Sequence, residues 1–85
     1  PHHERFQEQF AQSDQTMVAE LATAIERGVE AGVFRPVNAE FEANFLYSIM
    51  QGGVLRGVTL DDPEIMRSTR EAITWYVGFK LKKHQ

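Results

Sequence analysis

Between Asn38 and Lys82 the sequence holds two consecutive helical stretches that are apolar almost all the way round, in a chain too short to cover both. At 100° per residue, Phe41, Phe45, Ser48, Ile49, Gly52 and Leu55 line one side of the first stretch. Ala43, Leu46, Met50, Gly53, Val54 and Gly57 line another, about half a circle away, and only a narrow wedge with Asn44 and Gln51 is polar. The second stretch repeats the problem. Ile65, Thr69, Ala72, Tyr76 and Phe79 form one stripe, Met66, Ile73, Val77 and Leu81 form another beside it, and Trp75 widens the arc. Its polar side is limited to Glu64, Arg67, Glu71, Gly78 and Lys82.

A helix that is apolar on two sides must be buried on two sides. At roughly 25 cal/mol per Å² of apolar area, leaving several Leu, Ile and Phe side chains wet would forfeit many kcal/mol. Eighty-five residues make one small domain, 1–85, and the chain has no cysteine. A chain of this size buries only about 60% of its unfolded surface, and small scaffolds without disulfides tend to gain stability by associating. The expectation is therefore a homodimer in which the last two helices of each chain meet as an intermolecular four-helix bundle. Its contacts are expected from Phe45, Leu46, Ile49, Met50, Gly53, Val54 and Gly57 of one helix and Ala72, Ile73, Tyr76 and Val77 of the other. Glycine costs up to about 1 kcal/mol in a helix interior, so Gly52, Gly53 and Gly57 ask for a reason. Close helix approach is one; a kink or hinge is the other.

Two joints divide the chain into three main antiparallel-packed helices. Gly32 suits a left-handed C-terminal cap, and Asn38 suits an N-cap with Glu40 in the first turn. Asp62 is a second N-cap, with Pro63 at the first helical position, where a missing N–H costs nothing. The helices are expected to run to about Ala31, from about Ala39 to Val58 and from about Pro63 to Lys82. No alternating strand pattern occurs, so the fold class is all-α. The first helix is amphipathic: Phe6, Phe10, Met17, Leu21, Ala24, Ile25 and Gly28 share one sector, and Glu8, Gln12, Glu26, Arg27 and Glu30 lie opposite. Ser13 and Asp14 interrupt that stripe. Both favour caps, so a break between a short and a longer helix is expected there, the alternative being that they point into a pocket.

The remaining composition excludes more than it identifies. A 42% hydrophobic content argues against disorder, and 25% charged residues are ordinary for a soluble chain. No apolar run approaches the roughly 18 residues of a membrane span, and no signal-peptide pattern is present, so a cytoplasmic location is expected. The net charge of -3 does not suit phosphate neutralisation along a duplex. Lys80, Lys82 and Lys83 are explained by a helix C-terminus, where cations complement the macrodipole. No metal or cofactor is expected: the adjacent His2 and His3 cannot share a helix face, and only His84 remains. Nor is an enzyme, since Ser48 and Ser68 lack activating neighbours and Glu26 and Glu30 sit on the wet face beside Arg27.

The stretch from Ala24 to Asn38, AIERGVEAGVFRPVN, resembles an element of TetR-family regulators. In that family a long helix ends in a similar Gly-x-x-x-Gly-x-Phe-Arg phrase, and a Pro-Val-Asp/Asn joint leads into a helix rich in aromatic and small residues. An acidic-Pro entry to a final helix follows, here Asp61-Asp62-Pro63. The resemblance covers residues 15–82. It implies a helical transcriptional repressor whose body binds a small-molecule effector and dimerises through its last two helices. It also implies a separate amino-terminal DNA-binding head, through which alone such a repressor meets DNA; the head is absent from this sequence, which then represents the C-terminal portion. On the resemblance, Phe6, Phe10, Met17 and Leu21 are the residues nearest an effector pocket, with ordinary core packing as the other reading. A purely structural helical dimerisation module without a ligand stays open as the alternative function.

Overall fold

The computed structural model describes residues 2–84, the side chain of His2 excepted, so the His2-His3-Glu4 run falls partly outside it. Three helices, α1 (His2–Glu30), α2 (Ala39–Thr59) and α3 (Pro63–Tyr76), are followed by a π-helical turn, Val77–Leu81. The fold is all-α, as expected, with no strand among the described residues.

Local chemistry sets the joints. α1 ends where Gly32 takes φ +75, a left-handed conformation that glycine adopts without steric cost. The Val33 and Phe34 amides then donate back to the Gly28 carbonyl at 2.9 and 3.0 Å. Asn38 starts α2 by accepting a hydrogen bond from the Phe41 amide at 3.0 Å, and Asp62 starts α3 by accepting one from the Glu64 amide at 3.0 Å. Pro63 stands at the start of α3, as read from the sequence.

Two expectations are corrected. Ser13 and Asp14 do not break α1, which is continuous through both. Each costs only a few tenths of a kcal/mol of helix propensity among good helix formers such as Gln12, Gln15 and Met17. Interrupting the hydrogen-bond ladder and nucleating a second helix costs more. The last α-helix does not reach Lys82. It ends at Tyr76, and the Lys82 amide bonds back to the Val77 carbonyl at 2.9 Å, the five-residue step of a π-turn. The wider turn carries Leu81 inward, where it is 1% exposed among Ile25, Ala39, Ala43 and Leu46. Burying a leucine is worth about 1.5–3 kcal/mol, enough to offset the poorer geometry of one π-turn.

α2 lies in the middle, packed on α1 along one side and on α3 along the other. The small Ala39 and Ala43 let α1 approach and form a core with Ile25, Leu46 and Leu81. At the other seam a Cβ on Gly53 would meet the side chain of Thr69, and one on Gly57 would meet Met66. These two glycines serve close approach inside the chain. The molecule is a thin layer of 52 × 29 × 13 Å with a radius of gyration of 15.1 Å. A compact domain of this length would have a radius near 12 Å. Its accessible surface is 6712 Å², against about 5,100 Å² for a typical folded monomer of this mass.

Candidate dimerisation face

One side of α2 carries exposed and mostly apolar residues. Phe41, Phe45, Ser48, Gly52 and Leu55 recur at four- and three-residue steps, which keeps them on one side of a helix. Phe41 is 67% and Leu55 68% exposed, values normal for a lysine and expensive for these side chains. Beside them on α3, Ser68, Ala72 and Trp75 fall within a sector of about 60°, and all three are exposed. Trp75 stacks on Phe79 with ring centroids 5.1 Å apart, and both rings stay open to solvent. A shallow trough of about 380 Å³, lined by Ile49, Ile65, Ser68 and Ala72 with Arg56 and Glu64 at its edge, joins the two helices.

One cross-helix contact ties this face together. The Phe45 and Tyr76 rings lie 4.9 Å apart at 51°, and the Tyr76 hydroxyl donates to the Glu42 carboxylate at 2.6 Å. That hydrogen bond to an anion holds the phenol above its usual range, with burial and the negative charge of Glu42 adding to it. The raised pKa fixes a sign. The unfolded phenol titrates near pH 10, so the contribution of this group is complete below that pH and is lost as pH rises through the folded value. Tyr76→Phe is expected to remove the late-ionising phenol from an ultraviolet titration and to flatten the loss of stability above about pH 10. If the phenol lost is one that titrates at the ordinary value near 10, the Tyr76–Glu42 bond does not form in solution.

The residues expected at a dimer contact divide into three groups. Phe45, Ile49, Ala72 and Tyr76 lie on or beside this outer face. Leu46, Gly53 and Gly57 are buried inside the chain, and Val77 packs against the core. Met50, Val54 and Ile73 line the opposite side of the α2–α3 seam, a mostly apolar groove of about 670 Å³ shared with Met66, Thr69 and Arg70. Phe41, Ser48, Gly52, Leu55, Trp75 and Phe79 were not among the expected contacts, although most of them stand in the helical stripes and so carried the signal.

The candidate effector-pocket residues are not gathered into one cavity. Phe10 lines an apolar groove of about 380 Å³ with Gln51, Val54, Leu55 and Val58. Met17 borders a separate polar depression with Gln9, Gln12, Ser13 and Thr16, Phe6 is exposed, and Leu21 packs on the core. Asp14 borders a further groove of about 490 Å³ with Glu26, Glu40 and Asn44.

Residues 1–77 match the family of BetI-type transcriptional repressor C-terminal domains. The chain belongs to that family. No curated protein and no solved structure matches it. Membership makes this a domain of TetR-type regulators, in agreement with the resemblance carried by the stretch from Ala24 to Asn38. It assigns no enzymatic role, and no helix among the described residues is long and apolar enough to cross a membrane.

Proposed function

We propose that this chain is the regulatory and dimerisation portion of a transcriptional repressor, and that it pairs two copies through the outer face of α2 and α3. The observation that carries the reading is the exposure of Phe41, Phe45 and Leu55 on α2 and of Ala72 and Trp75 on α3. Accessible area supports it. The chain exposes on the order of 1,600 Å² more than a compact monomer of its mass, and a standard interface buries about 800 Å² per partner. Two copies related by a two-fold axis would bring four helices together as a bundle.

In this reading the groove lined by Met50, Val54, Met66 and Ile73 forms one wall of the part that senses a small-molecule effector. DNA is met only through a separate head, and the protein works in the cytoplasm. The scattered positions of Phe6, Phe10, Met17 and Leu21 favour a second reading, in which this portion only pairs chains and holds no ligand.

Sedimentation equilibrium at tens of micromolar tests the pairing, with twice the chain mass as the expected result. Leu55→Glu introduces a charge at a position that is 68% exposed in the single chain, so folding is little affected while the dimer acquires two desolvated carboxylates. The dimer is expected to weaken at least a hundredfold, about 2.7 kcal/mol. A monomeric parent chain would refute the pairing, and a variant that still pairs would place the interface elsewhere. Leu46 is unsuited to such a test because it is buried within its own chain.

A further inference from the structure

The chain after Tyr76 does more than end a helix. The π-turn leads into an extended tail that doubles back onto the α1–α2 joint. There the Arg35 amide donates to the Leu81 carbonyl and the Lys83 amide donates to the Val33 carbonyl, both at 2.8 Å. These two bonds bracket Phe34 and Lys82, which face each other as an isolated antiparallel bridge. The Arg35 guanidinium adds a long contact of 3.4 Å to the Lys80 carbonyl. Beneath them, Leu81 sits 1% exposed against Ile25 of α1 and Ala39, Ala43 and Leu46 of α2. The joint is itself held to α1, because the Phe34 ring lies so close over Gly28 that a side chain there would collide with it.

From this arrangement we infer that residues 77–83 are a strap that couples the end of α3 to the last turns of α1. α1 and α3 are otherwise separated by α2. The path runs from Gly28 through Phe34 to Lys82 and Leu81, and then through the π-turn into α3. The π-turn sets its register. An uninterrupted α-helix would rotate Leu81 away from Ile25 and carry the Lys83 amide off Val33. A tilt of α1 about its own C-terminus therefore pulls on the end of α3, and a shift of α3 pulls on α1. Most of the strap, residues 78–83, lies beyond the stretch that matches the family. Its existence does not depend on the proposed dimer; only its consequence, that movement of α1 is felt at the pairing face, rests on that reading.

Amide hydrogen exchange on the full chain tests the strap with two variants. Lys83→Pro removes one donor of the bridge and leaves Leu81 in place. Lys82 already has the extended φ -64, ψ 137 that a residue before proline favours. Deleting Gly78 withdraws the extra residue of the π-turn, at a position with open space beside it. In the parent chain the Arg35 and Lys83 amides are expected to be protected. In Lys83→Pro the Arg35 amide should exchange about tenfold faster, and so should the amides from Gly28 to Ala31, while those around Gly53 in the α2–α3 seam keep their rates. Deletion of Gly78 should give the same pattern, more strongly. Faster exchange confined to residues 79–84, or equal acceleration in all three helices, would overturn the proposal: the first makes the tail an ornament, the second makes it ordinary core. Neither result bears on the dimer, which sedimentation decides separately.

Discussion

Leu81→Ala is expected to lower the unfolding free energy by about 3 kcal/mol, the usual cost of emptying a leucine-sized space in a core that relaxes only partly. Few single changes in this chain should cost more. The core is small: Ile25, Ala39, Ala43, Leu46, Tyr47 and Leu81 are its buried apolar residues, and two of these are alanines with little to contribute. Among the described residues, Leu81 alone joins a large side chain to complete burial. Total stability of small domains lies near 5–15 kcal/mol, so the loss is a sizeable fraction. Thermal melting should drop on the order of 15 °C. A denaturant titration checks the value at constant protein concentration. A change below about 1 kcal/mol would mean that the tail is not docked in solution.

Gly53→Ala is expected to destabilise the chain by about 2 kcal/mol, although alanine is the better helix former by about 1 kcal/mol. The added methyl would point at Thr69, whose branched side chain has one strongly restricted first torsion in a helix. The Thr69 hydroxyl is also anchored, donating to the Ile65 carbonyl at 2.8 Å. Neither atom group can swing aside, so the α2–α3 seam itself must open. Gly57→Ala provides the contrast. Its methyl would meet Met66, an unbranched side chain with further rotatable bonds. That substitution should stay within about 1 kcal/mol of neutral, because accommodation and the propensity gain nearly cancel. Equal effects at the two sites would show that flexibility of the neighbour does not decide the outcome.

What could be read from the chain in advance follows the range of the forces involved. Gly32, Asn38, Asp62 and Pro63 act on amides within a few residues of themselves, and their placement in the joints followed from local chemistry. The two apolar sides of α2 were also legible from spacing. Which side would be used inside the chain was not. That depended on Gly53 and Gly57 meeting Thr69 and Met66 across the seam, a fit between distant segments. Leu46, Gly53 and Gly57 were accordingly expected at a contact between chains and are spent within one. The π-turn was illegible for the same reason: nothing near Gly78 demands an extra residue, and its cause is Ile25, more than fifty positions earlier in the chain. Ser13 and Asp14 misled in the other direction, since residues that favour caps in isolation are carried along by a helix that is already propagating. The scattered effector candidates share a cause: the first half of α1 lies past the end of the core, with few neighbours to converge upon.

The thinness of the molecule has a thermodynamic meaning. A layer of helices 13 Å deep has two broad outer surfaces and almost no middle. Whatever settles on either surface binds the folded chain and not the unfolded one, so it acts as a ligand of folding and raises stability as the logarithm of its own concentration. When that ligand is another copy of the chain, dilution becomes a denaturant. The amount of protein in the cell then helps to set how much of it is folded, and the abundance of such a regulator enters its own equilibrium.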